Sequence, residues 1–333
     1  MKKVMACLLA LSLLLGLLAA AGGQAAAVIV PPAPEISIAA QPLSADLLLA
    51  EHDAPDSYIQ PRVSRDGNAV AYISRVEGEE GVYIYDVAAG IHMPISQGGT
   101  PHMDRGLALS PTGRYVVYEG AGEVDAAGSV LYLFDRLDGS TDRLAQSEGR
   151  FRSLSVSEDG SRVAFVSEGG DLVEDDTNGL EDVFLLDLRE DAEHPLKRIS
   201  VGWGDEQGSE PSGEPMITAD SEAVALVSRA PELWPGRDEM KSRLFTYYPD
   251  SGYLDYRGVT INEIEELDVY SPYISSDGSY IIVREMNGTQ GIRLWLYSSE
   301  EGEFRELLDV SDVPGLSLGA PIVTDDGATV AGL

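Results

Sequence analysis

The residues with the clearest chemical spacing lie in Glu174-Asp175-Asp176-Thr177-Asn178-Gly179-Leu180-Glu181-Asp182. Glu174, Asp176, Asn178 and Asp182 fall at offsets 1, 3, 5 and 9 of a calcium loop, with Gly179 at offset 6, where the chain must turn sharply. Hard oxygen ligands on a glycine turn suit Ca²⁺, so these four residues are the candidate metal ligands. Offset 12 is Leu185, and the bidentate carboxylate that usually closes such a loop is missing. The segment also reads as an Asn-Gly turn between two strands, decorated with solvated acids. The spacing leaves both readings open.

Other candidates carry less. Gly315-Leu316-Ser317-Leu318-Gly319 has the letters of a nucleophile elbow. That motif needs a helix after the serine and a histidine downstream. Here a strand pattern follows and the last histidine is His194, so the segment reads as a flexible loop. His52, His92, His102 and His194 show no metal-ligand spacing, and the single cysteine, Cys7, sits in an N-terminal apolar run. No zinc or redox site is expected. Acid pairs are too abundant to mark a glycosidase pair, and no catalytic residue is assigned. Trp203 and Trp234 fall in loop-like stretches, where an aromatic either packs on a sheet edge or meets a ligand. Trp295 falls in a strand pattern and reads as core. Asn287-Gly288-Thr289 has the form of a glycosylation site but reads as a hairpin turn.

The elements that must position these residues are repeats. An apolar stretch ending in Ser or Thr, a turn with Asp and Gly, and a β-rich run recur six times, anchored at Ser64, Ser110, Ser157, Thr218, Ser275 and Thr324. The anchors lie 46, 47, 61, 57 and 49 residues apart. In Val63-Ser64-Arg65-Asp66-Gly67 the aspartate can bond the backbone ahead, and the glycine takes the positive φ that closes the hairpin. Two copies depart: Thr112 stands in the aspartate position and Ser221 in the glycine position. Nearly continuous apolar runs follow each turn, such as Ala69–Ile73, Arg162–Val166 and Ala223–Val227. Strands buried on both faces look like this. A third strand follows each, as at Val183–Leu186 and Leu244–Tyr248, and then a fourth, as at Lys197–Ser200.

Four strands per repeat of about 50 residues, each sheet packed between neighbours, describe a propeller blade. The expected fold is all-β: a six-bladed β-propeller of four-stranded antiparallel blades. Only Ala328–Leu333 follow the sixth turn, so the last blade needs strands from elsewhere. The segment 28–60, with Glu35–Ala39 and Asp46–Ala50, would supply them and close the ring with strands from both termini. A fragmentary chain is the competing explanation, and tandem β-sandwiches are the competing architecture. The propeller repeats occupy 61–333.

Residues 1–27 read as a signal peptide. Lys2 and Lys3 precede an apolar run from Val4 to Ala21, and Ala19-Ala20-Ala21 and Ala25-Ala26-Ala27 fit a small-x-small cleavage pattern. An uncleaved anchor is the alternative. Cleavage would leave no cysteine, so burial alone must hold the fold. The formal charge is −33, from 56 acidic and 23 basic residues. Such a surface repels phosphate backbones and anionic lipid, which sets nucleic acid and membrane surfaces aside as partners. It favours solubility and attracts cations or basic partners.

With these residues in view, the repeats resemble the TolB-like propeller family, with its Ser-Pro-Asp-Gly turn followed by an apolar strand. The resemblance covers about residues 60 to 333. Asp171-Leu172-Val173, Asp176-Thr177-Asn178-Gly179 and Asp182-Val183-Phe184 are similar to a segment of exported bacterial propellers, and Gly208–Thr218 fits the same subgroup. A degraded second copy lies at Glu232–Asp238. The resemblance implies a non-enzymatic propeller that binds proteins or ligands at its face or channel, and with the signal segment the expected protein is an exported, periplasmic or secreted monomer. It would bind an envelope or extracellular protein or a small ligand, with Ca²⁺ as the one cofactor to test. The alternatives are a propeller hydrolase or lyase with channel carboxylates, or the front propeller of a longer peptidase-type protein.

Overall fold

The computed structural model describes most of residues 57–309, together with 322–323, 325 and 330–331. Within 57–309 the exceptions are 77–78, 97–105, 122–127, 191, 193–194, 235–240, 258–259, 262–264, 267 and 288–290. The signal segment 1–27, most of 28–60, the Gly315–Gly319 motif, His52, His102 and His194 lie outside the described residues.

The strands form five four-stranded antiparallel meanders in chain order. The first sheet is β1 (Ser57–Val63), β2 (Ala69–Val76), β3 (Glu79–Asp86) and β4 (Ile91–Pro94). The second is β5 (Leu107–Leu109), β6 (Tyr115–Ala121), β7 (Ser129–Asp135) and β8 (Ser140–Ser147). The third is β9 (Arg152–Val156), β10 (Arg162–Ser167), β11 (Asp182–Asp187) and β12 (Leu196–Arg198). The fourth is β13 (Ser212–Ile217), β14 (Val224–Ser228), β15 (Arg243–Tyr248) and β16 (Tyr253–Arg257). A small pair, β17 (Thr260–Ile261) and β18 (Glu265–Glu266), precedes the fifth: β19 (Val269–Ile274), β20 (Tyr280–Asn287), β21 (Gly291–Ser298) and β22 (Glu303–Asp309). Last comes a pair, β23 (Ile322–Val323) and β24 (Val330–Ala331), lying beside β19 and β20. Among the described residues the one helical element is a 3₁₀ turn at Pro231–Leu233.

The repeated turns fold as their chemistry dictates. The Ser64 hydroxyl accepts the Ala69 amide at 2.9 Å and donates to Asp66 at 2.6 Å, while Asp66 accepts the Asn68 amide at 3.0 Å. Ser157 and Ser275 repeat this with Asp159 and Asp277. Gly67, Gly113, Gly160 and Gly278 take φ between 72° and 74°. Ser221 holds the same place at φ 64°, a left-handed position that side chains disfavour. In the second turn Thr112 replaces the aspartate acceptor with a hydroxyl 3.2 Å from Ser110.

The core lies between sheets, because alternate residues of one strand face opposite neighbours. Val163 and Phe165 pack with Val117, Leu131 and Leu133 of the second sheet. Ala164 and Val166 of the same strand pack with Val224, Leu226 and Phe245 of the fourth. Equivalent clusters join the first sheet to the second and the fourth to the fifth. The middle strands β10 and β14 are buried throughout, while the outer strand β4 is exposed along its length. Arg162, 1% exposed, ties the third seam: its guanidinium donates to Asp187 at 3.0 Å and to the Ser221 carbonyl at 2.6 Å, and pairs with Asp250.

The first strands of successive sheets lie side by side. Each of four carries a left-handed residue four places before its anchor: Gln60, Ser153, Glu214 and Ser271, with φ between 48° and 53°. The ladder register shifts at each of these points, so every one is a bulge that bends the inner strand. The Ser271 amide donates to the Glu214 carboxylate, joining the fourth sheet to the fifth at this level.

Candidate functional site

The anchored turns converge. The residue after each anchor, namely Arg65, Pro111, Glu158, Ala219, Ser276 and Asp325, meets its neighbours around one mouth of the ring. The Arg65 amide donates to the Pro111 carbonyl at 2.8 Å, and the Thr112 hydroxyl to the Glu158 carbonyl at 3.3 Å. The Glu158 amide donates to Ala219 at 2.9 Å, and the Ala219 amide to Ser276 at 2.8 Å. The Ser276 amide in turn donates to the Asp325 carboxylate at 2.8 Å. Across this rim the Arg65 guanidinium reaches the Ser276 hydroxyl at 2.7 Å and the Glu158 carboxylate at 3.2 Å. The first turn therefore touches turns of the third and fifth sheets, as a ring about an axis requires. A cavity of about 620 Å³ opens here, lined by Arg65, Thr112, Tyr115, Glu158, Asp220 and Asp277 among others.

The electrostatics of the mouth run one way. The Ser64 hydroxyl and then the Asn68 amide hold Asp66 at about 2. Burial would raise Asp159 and Asp277. Their Ser161 and Ser279 amides and the anchor hydroxyls outweigh it and leave both below the ordinary carboxylate range. These carboxylates stay ionised at neutral pH, so the mouth offers fixed acceptors around the Arg65 guanidinium, with a second arginine, Arg114, in its lining paired to Asp135. A general acid or base needs a pKa brought near the working pH, the reverse of this shift. The motif search missed these residues, although their signal was present: the position after each anchor in a repeat already recognised.

The candidate calcium ligands sit between β10 and β11. Asp176, Asn178 and Asp182 come together, and Glu174 is exposed. The Asn178 side chain donates to Asp182 at 2.8 Å and to the Gly208 carbonyl at 3.1 Å, while its oxygen accepts the Leu180 amide at 2.9 Å. Asn178-Gly179 thus forms the turn that the sequence also allowed, with Gly179 at φ 66°. Positive charge at this point comes from Arg198 of β12. Its guanidinium lies 3.2 Å from Asp176, 3.6 Å from Asp175 and 4.0 Å from Asp182. Burial, then the Asp182 charge, pushes Asp176 up despite Arg198. Among the described residues no group of three or more His, Cys, Asp or Glu side chains is arranged to hold a metal ion.

The tryptophans separate. Trp295 is buried and donates its indole N–H to Glu285 at 3.0 Å. Trp234 stacks on Tyr256 with ring centroids 4.3 Å apart, so it packs on a sheet edge. Trp203 is 83% exposed. His92 is exposed on β4 with its Nδ1 2.5 Å from the Tyr72 hydroxyl.

No protein-family model matches the chain, and no curated protein matches it. Solved structures do. The β-propeller domain of the Trilobed protease from Pyrococcus furiosus aligns with a TM-score of 0.54 at 15% identity, covering 81% of this chain and 76% of that one. An oligogalacturonate lyase from Vibrio parahaemolyticus aligns with a TM-score of 0.54 at 14% identity, covering 81% and 72%. TolB from Acinetobacter baumannii aligns with a TM-score of 0.49 at 18% identity, and the chain spans 54% of its length. Neighbours this distant in sequence share architecture rather than chemistry. What the protease domain and the lyase establish, with the meanders and the converging turns, is the architecture expected from the repeats, though not the number of blades: this chain is a β-propeller.

Proposed function

We propose that this chain is an exported, non-enzymatic β-propeller that acts as a binding or scaffold module in the cell envelope, periplasmic or secreted. Its site is the axial mouth, and the group it takes is cationic, carried by an envelope or extracellular protein or a small ligand. The observation that carries this reading is the placement of Glu158, Asp159, Asp220 and Asp277 around one cavity, where Asp159 and Asp277, like Asp66 in the first turn, are held below the ordinary carboxylate range by their own turns. Ionised at neutral pH, they attract positive charge. The hydrogen bonds between successive turns fix the rim before any partner arrives, which lowers the entropic cost of binding. A net charge of −33 steers cationic partners toward every face, and the mouth gives them a defined endpoint.

The test is affinity capture from the native cell envelope with the mature chain and with Glu158→Lys, which inverts charge on an exposed turn. We expect one envelope component enriched by the wild type and lost with the variant. Enrichment unchanged by Glu158→Lys would move the site off the mouth. Turnover of an envelope polymer, lost in the variant, would replace binding with catalysis.

A further inference from the structure

An indole left in water on a rigid support is the remaining feature that the axial mouth does not absorb. Trp203 sits at the tip of a short hairpin closed by the Val201–Gln207 bridge and by the Gly202 amide donating to Glu206 at 2.8 Å. Gly204 and Asp205 take φ of 78° and 63°, which turns the tip. The hairpin is pinned at its base. A Cβ on Gly202 would lie 2.5 Å from the Glu232 carbonyl, so the two loops touch backbone to backbone. The Ser209 amide donates to the Glu232 carboxylate at 3.0 Å, and Gln207 bonds both the Asp175 carbonyl and Thr177. All this framework holds a side chain that is 83% exposed. Trp234, two residues beyond Glu232, shows the contrast by stacking on Tyr256.

We propose that the Trp203 hairpin is a second docking site, for a basic segment of another protein, with a Lys or Arg side chain seated on the indole. The occupant follows from charge. Asp205 and Glu206 flank the indole, both exposed, and Glu232 lies at the hairpin base, its carboxylate held ionised by Ser209 against the effect of burial. An exposed indole with two exposed acids in the same hairpin attracts a cation through the ring quadrupole and the acids together. Tryptophan is the side chain most often found carrying an interface, and a preformed hairpin loses little freedom on binding. The site lies at the seam of the third and fourth sheets and does not depend on the mouth.

Fluorescence titration of the mature chain with a tetra-arginine peptide tests this. The wild type should show saturable quenching. Trp203→Ala should weaken binding, followed by calorimetry, about tenfold, the size of one partly desolvated cation–π contact. Asp205→Asn with Glu206→Gln should weaken it several-fold, while Trp203→Ala leaves the melting temperature unchanged because the side chain is already in water. Equal affinity in Trp203→Ala and wild type would overturn the proposal. So would binding lost in Glu158→Ala but kept in Trp203→Ala, which would assign the peptide to the mouth. Trp203-dependent binding of a neutral oligosaccharide, with none of the peptide, would overturn it in favour of a sugar site.

Discussion

Two clusters in this molecule are built from the same kinds of group, guanidinium among carboxylates, and they behave in opposite ways. At the axial mouth the side chain of Arg65 is 53% exposed, and every resolved carboxylate shift is downward. In the β10–β11 loop Arg198 is 3% exposed, and Asp176 is pushed up although the guanidinium is 3.2 Å away. Water and turn amides charge the mouth at little cost. Burial removes that help, and one arginine does not fully replace it. Charge kept in water remains available to a partner, whereas charge taken out of water becomes part of the architecture.

The largest effect that could break this contrast is on stability. Arg198→Met should cost about 3–5 kcal/mol in chemical denaturation, because it leaves Asp176 and Asp182 buried without their cation. Arg65→Ala should cost under about 1 kcal/mol, as exposed pairs do. Similar losses for the two would erase the distinction.

Acid titration sharpens it next. Burial raises Asp187, but Arg189 and Arg162 outweigh that and hold it at about 2. With the folded value depressed, its stabilisation of about 2 kcal/mol is complete above the unfolded value near 4 and is lost as pH falls through about 2. The difference between wild type and Asp187→Asn in denaturation midpoint should follow that window. Asp176 has the opposite sign: its ionised form is disfavoured by the fold, so Asp176→Asn should match or exceed the wild type at about pH 7. Any gain should fade as pH falls toward the unfolded-state value.

Calcium probes the same loop. With Arg198 already among the carboxylates, adding calcium should leave the melting temperature of the wild type unchanged. A rise in the wild type that disappears in Asp176→Asn would show the metal displacing the guanidinium, the calcium reading that the loop spacing left open. The smallest effect is local to the rim. Ser221→Gly should add about 1 kcal/mol or less, by placing glycine where φ is 64°.

Much of this was legible in the chain. Ala69–Ile73, Arg162–Val166 and Ala223–Val227 read as doubly buried strands because apolar residues run through them without alternation, and β2, β10 and β14 lie there. The Ser-x-Asp-Gly turns were legible down to their departures at Thr112 and Ser221. Trp295 was recognised as core. The bulges at Gln60, Ser153, Glu214 and Ser271 were not visible, because residues of three different types adopt them and only the bend of the inner strand requires it. Arg198 was equally hidden from the loop reading, since it approaches Asp176 from β12 across the sheet.

By itself, then, the sequence determined the blade: its four strands, its anchored turn, and the acidity of its surface. These are local matters of periodicity, hydrogen-bonding side chains and composition. Only the tertiary structure decided what the charges do. Closing sheets around an axis brings Arg65 beside Glu158 and Ser276, and packing the third sheet lays Arg198 against Asp176. Exposure in the first place and burial in the second depend on neighbours far along the chain, and burial sets whether a charge binds a partner or holds the fold.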